Sequence, residues 1–130
     1  MIVPGVVQIL ATVSGIDGTE PGSTLLLAPA MTVELLSVRV RLAGASGATA
    51  PPQVRLVLTG SPTPPRQVFV QPVTLRGLLI AGQSFELLSA GLAERIVSGQ
   101  SLNLEIPSAA TVEPGGEYIL TVDVCGYAVP

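Results

Sequence analysis

The sequence predicts an all-β protein, an antiparallel two-sheet sandwich of about eight strands with at most one short helix. Three observations carry that expectation. Apolar and polar residues alternate in short runs, the period of a strand with one buried face. Fourteen glycines and 12 prolines in 130 residues mark many turns and disfavour long helices. Charged residues make up 12% of the chain, about half of the ~25% usual in soluble proteins, so charge alone does not cover the surface. The length suits one core, and residues 1–130 read as a single β-sandwich domain.

The first strands are placed at 6–13 (VVQILATV) and 23–28 (STLLLA). SVRVRL follows, with Val38, Val40 and Leu42 on one face and Ser37, Arg39 and Arg41 on the other. After AGASGATAPP, expected to be a mobile loop over 43–52, QVRLVLTG turns Val54, Leu56 and Leu58 inward. These two runs are expected to pair as antiparallel neighbours with their arginines on the outer face. RQVFVQPVTLRG and GQSFELL are β-like, and Pro72, which lacks a ladder donor, requires an edge or a bulge. In SAGLAERIVSGQ a helical turn is expected, capped by Ser89 and closed by Gly99, with Leu92 and Ile96 one turn apart. SLNLEIP buries Leu102, Leu104 and Ile106. The last strand, 117–129, buries Tyr118, Leu120, Val122, Val124, Gly126 and Ala128. The connectors DGTEPGST, TGSPTPPR and VEPGGEY supply the fixed or positive φ of tight turns.

The residue inventory excludes much chemistry. With no histidine and no lysine, the chain offers no Ser-His-Asp, Cys-His or Ser-Lys arrangement, no Schiff base and none of the common zinc sites. One cysteine makes neither an internal disulfide nor an iron–sulfur site. The nine acids are dispersed. Asp17 with Glu20, and Glu113 with Glu117, read as solvated turn carboxylates rather than ion ligands. Two carboxylates suffice for a glycosidase, but only Phe69, Phe85, Tyr118 and Tyr127 provide aromatic surface for a sugar. No enzyme is expected, and no cofactor or metal.

A net charge of −3 with scattered arginines provides no clustered cations, so no nucleic-acid surface is expected. No apolar stretch reaches the ~20 residues that span a bilayer, and no membrane contact is expected. The N-terminus lacks the basic segment of a secretory signal.

In the closing EYILTVDVCGYAVP, the lone cysteine sits beside an aspartate and between two tyrosines. A reactive thiol needs a neighbouring cation, whereas Asp123 shares its face, so Cys125 reads as a small packing residue. That outer face also carries Ile119, Tyr127 and Val129, which is apolar for a solvated strand. Consecutive Leu25, Leu26 and Leu27, and Leu35 beside Leu36, likewise require some leucines to face outward. Leu26, Leu35, Ile119, Cys125, Tyr127 and Val129 are therefore the expected interface residues, buried against another subunit.

IVSGQSLNLEIPSAATVEPGGEYILTVDVCGYAVP resembles the closing strands of small β-sandwich and jelly-roll proteins of tailed-phage virions. In those, a glycine turn, an alternating strand and a Pro/Gly loop precede a long valine-rich strand. GTEPGSTLLLAPAMTVELLSVRV likewise resembles the start of head-decoration or head-fibre domains. The resemblance implies a jelly-roll-like fold and a capsid decoration or cement role on the virion surface. It further implies a homo-oligomer, commonly a trimer, seated on a major capsid protein. The alternative is a carbohydrate-binding or adhesin-like recognition module, with 43–52 and 60–66 as its rim.

Overall fold

The computed structural model describes residues 2–60, 67–88 and 94–130. Its strands are β1 (Gln8–Asp17), β2 (Gly22–Leu27), β3 (Val33–Ala50), β4 (Gln53–Thr59), β5 (Gln67–Thr74), β6 (Ser84–Leu88), β7 (Glu94–Ile96), β8 (Ser101–Ser108) and β9 (Thr111–Ala128). One sheet runs β1–β9–β3–β6, with β7 also on β3, and the facing sheet runs β2–β8–β4–β5. Pairing is antiparallel between all of these strands. This is the jelly-roll order, in which successive strands mostly cross between sheets. β6 lies against Val38–Arg41 and β7 against Val33–Leu35, so these two short strands share one edge of β3.

The alternation read from the sequence is the alternation of the core. Val38, Val40 and Leu42, Val54, Leu56 and Leu58, Leu102, Leu104 and Ile106, and Tyr118, Leu120, Val122 and Val124 are all buried in one cluster between the sheets. Each such side chain contributes about 1.5–3 kcal/mol relative to exposure.

Three expectations are corrected, each by a bulge or a crossing. SVRVRL and QVRLVL do not pair, because β3 belongs to one sheet and β4 to the other. Segment 43–52 is not a loop: β3 continues to Ala50, pairing Ser46 with Glu117, Ala48 with Val112 and Ala50 with Thr111. Register shifts between Leu42 and Gly44, and between Ser46 and Ala50, bend it toward the second sheet, with Gly47 at φ +66°. Leu35 and Leu26 are core residues rather than outward ones. Between Leu35 and Ser37, β3 carries one residue more than β9, which resets the phase so that Val33, Leu35, Val38 and Val40 all point inward. An equivalent extra residue between Leu25 and Leu27 buries Leu26 and Leu27 together and leaves Leu25 exposed.

Pro72 sits as expected. β5 is an edge strand, and between Val73 and Val70 it carries one residue more than β4, which accommodates a residue without an N–H. Of the expected helical turn, Glu94–Ile96 is strand, Ile96 is buried, and Gly99 at φ +97° closes a turn. Ser89 and Leu92 lie outside the described residues.

One polar contact closes an end of the core. The hydroxyl of fully buried Tyr118 donates to the carbonyl of Leu78, on the loop between β5 and β6, and burial pushes this phenol up to about 12. The ring lies over Gly18, where a Cβ would come within 2.6 Å of it, and Gly18 N donates to Tyr118 O at 2.7 Å. Tyr118→Phe keeps the ring and removes the donor, leaving a buried carbonyl unsatisfied. The variant is expected to lose about 1–3 kcal/mol in urea unfolding, with a parallel drop in Tm. An unchanged midpoint would mean that the carbonyl finds another partner.

Candidate functional site

The outer side of the β1–β9–β3–β6 sheet gathers the polar side chains that strand alternation turns away from the core. Register sets Arg39 of β3 opposite both Asp123 of β9 and Glu86 of β6, Thr12 of β1 opposite Asp123, and Glu34 opposite Arg95 of β7. Pairs follow from that placement. Arg41 Nε donates to Asp123 Oδ2 at 2.8 Å and its Nη2 to Oδ1 at 3.4 Å, while Thr12 Oγ1 donates to Oδ1 at 3.0 Å. Arg39 Nη2 donates to Glu86 Oε1 at 2.8 Å, and Arg95 Nε to Glu34 Oε2 at 3.0 Å. On the other sheet's outer side, Arg55 and Glu105 stand opposite each other and pair at 2.8 Å.

Partial burial opposes the charge on Asp123. Hydrogen bonds from Arg41 and Thr12 and the nearby charges of Arg41 and Arg39 outweigh it, holding this carboxyl below its ordinary range. Asp17 is also held low, by the hydroxyl and backbone N–H of Thr19, at 2.6 and 2.9 Å. That is a turn carboxylate satisfied by its own loop, as expected of Asp17.

Between these pairs lies a shallow depression of about 220 Å³ lined by Ile9, Ser37, Arg39, Asp123 and Cys125. Cys125 stands opposite Ser37 on one side and Ile9 on the other. Arg39 also lines the depression, a cation that reading β9 alone did not place beside the thiol. The guanidinium is engaged by Glu86, and the described lining contains no histidine or lysine to serve as a base. No group of three or more His, Cys, Asp or Glu is placed to hold a metal ion among the described residues.

Of the residues expected at an interface, Ile119, Cys125 and Tyr127 are half-buried on this outer side, and Val129 is half-buried just beyond β9. The face they share is crossed by ion pairs rather than being apolar throughout. Sequence reasoning missed where the exposed apolar side chains gather. Val3, Val6, Val7 and Ile9 are 47–59% exposed, on a segment tied to the end of β9 by the Pro4–Ala128 bridge and by Gly5 N donating to Ala128 O at 2.8 Å. Leu79 and Ile80 are exposed on the β5–β6 loop. The signal for the first group was present in MIVPGVVQI, whose valines do not alternate with polar residues. Comparison with models of known protein families and with characterised proteins finds no match to this chain.

Asp123→Asn tests the central pair. The native carboxyl titrates below its unfolded value, so its stabilisation is complete above roughly pH 4 and is lost as pH falls through the native value. At pH 7 the variant is expected to be about 1 kcal/mol less stable, with the gap closing toward pH 2.5. Thermal melts across that range read both. A gap independent of pH would place the effect elsewhere than in the charge.

Proposed function

We propose that this protein is a non-enzymatic structural component of a virion, a capsid decoration or cement protein that docks on a phage head and stabilises it. In this reading it acts at the capsid surface as a homo-oligomer, a trimer by resemblance, against a major capsid protein. The observation that carries the reading is the run of exposed Val3, Val6, Val7 and Ile9 beside the end of β9, on a chain where Arg39, Arg41, Arg55 and Arg95 are each paired with a carboxylate. Isolated exposed apolar residues are ordinary, whereas several in one segment suit burial against a partner. Covering the exposed half of four such side chains contributes on the order of a few kcal/mol.

β1 itself is poorly shaped for edge-to-edge pairing, because register shifts between Ile9 and Ala11 and between Val13 and Ile16 twist this free edge. Side-chain contact rather than strand addition is therefore the mode of docking. The jelly-roll order supports the reading weakly, since capsid and lectin domains share it with other trades. A carbohydrate-binding role is the second reading, favoured by the polar groups lining the depression. Of its expected rim, 43–50 is strand and 61–66 lie outside the described residues.

The test is co-sedimentation with heads assembled from the major capsid protein encoded nearest its gene. Binding is expected, together with a raised melting temperature of the heads, and Val7→Ser combined with Ile9→Ser is expected to weaken it about tenfold or more. Heads that neither bind the protein nor gain stability would remove the decoration role. A specific hit on a glycan array would move the assignment to the second reading.

A further inference from the structure

The β5–β6 loop is an apolar peg held in a fixed shape. Its backbone is bound on every side: Leu75 N to Pro52 O at 3.0 Å, Leu78 N to Leu75 O at 3.1 Å, Gly82 N to Leu42 O at 2.8 Å, and Leu42 N to Gln83 O at 2.9 Å. The Gln83 side chain accepts from Leu79 N and Ile80 N at 3.2 and 3.0 Å, and Tyr118 holds the carbonyl of Leu78. Leu75 and Leu78 anchor the loop in the core while Ile80 is turned out, 68% exposed. A side chain presented on a braced loop loses little conformational freedom on binding. Arg76 adds a cation to the same loop. Arg39, Arg41, Arg55 and Arg95 pair with carboxylates, whereas exposed Arg76 has no such partner among the described residues.

We propose that this peg seats in the depression lined by Ile9, Ser37, Arg39, Asp123 and Cys125 on a second copy of the chain. The depression has room for the peg's side chain and a carboxylate for its cation. About 220 Å³ holds the four carbons of an isoleucine side chain, each comparable to a water at about 30 Å³. Ile9 and Cys125 supply apolar contact. Asp123 supplies a carboxylate for Arg76: Arg41 and Thr12 take two bonds at Oδ1 and one at Oδ2, leaving acceptor capacity at Oδ2. The loop does not line its own molecule's depression, whose residues come from β1, β3 and β9. It is fastened to Leu42 and Tyr118, whereas Ser37 lies five residues back along β3, about 16 Å away. The contact is therefore between copies.

This inference rests on the self-association in the proposed function and names the surfaces that carry it. Cys125 is the chain's one cysteine and lies in the depression, which supplies the test. In Ile80→Cys, diamide oxidises two thiols to a disulfide and takes up their two hydrogens and two electrons. An intermolecular link between positions 80 and 125 is expected, identified as a cross-linked peptide by mass spectrometry. Leu25→Cys, 54% exposed on the opposite sheet, is expected to give no link to 125. In sedimentation the wild type is expected to associate, and Ile80→Ser to weaken association about tenfold with an unchanged Tm. A monomer at millimolar concentration, 80–80 links alone, or equal linking from Leu25→Cys would overturn the proposal. Association that is indifferent to Ile80→Ser would overturn it too, while leaving the decoration role standing on another contact.

Discussion

Two 18-residue strands, β3 and β9, pair from Val33 opposite Ala128 to Ala50 opposite Thr111, and the rest of the sandwich is arranged around that ribbon. Inward residues of both strands form the centre of the core, from Val33 and Leu35 to Leu120 and Val124. Bulges along β3 perform two tasks. The one at Leu36 resets the inward phase, and those beyond Leu42 carry the ribbon over toward the second sheet, where Gln53 of β4 meets Ser108 of β8. A straight ribbon would expose either Leu35 or Val38, since the two are three residues apart and both are fully buried. Gly126, opposite Leu35 at this bulge, lies so close to the Glu34 carbonyl that a Cβ has no room there.

The same pairing creates the surface chemistry. Arg39 and Arg41 come from one strand, Asp123 and Cys125 from the other, and Thr12, Glu86 and Arg95 are brought in by the strands that add to the two edges of the ribbon. Charges distributed over the whole sequence thus neutralise one another locally, and each exposed pair contributes at most ~1 kcal/mol. Their main consequence is that most of the sheet's outer side is satisfied. Most of the large exposed apolar side chains among the described residues sit near the chain's first residues and on the braced β5–β6 loop.

Much of the fold was legible because alternation reports burial directly. Val38 to Leu42, Val54 to Leu58, Leu102 to Ile106 and the inward face of 118–128 follow the strand period without interruption, and Pro72 announced the edge bulge that holds it. The misreadings share one cause. A bulge adds a residue without any distinctive composition, so Leu26 and Leu35 fell on the wrong face and the glycine-bearing AGASGATA read as a loop rather than a bent strand. Partner identity was equally hidden. Neighbours in sequence, such as the two arginine-bearing strands, lie in different sheets, and the groups around Cys125 come from β1 and β3, tens of residues away. The site could not be assembled by reading β9 alone.

Native-state hydrogen exchange measures most directly whether the β3–β9 ribbon is the structural spine. Amides of Leu35–Leu42 and Leu120–Val124 are expected to exchange slowest, with opening free energies equal to that of global unfolding, while those of β2 and β5 exchange through smaller openings. Slowest exchange in β4 and β8, with β3 and β9 opening locally, would contradict this account.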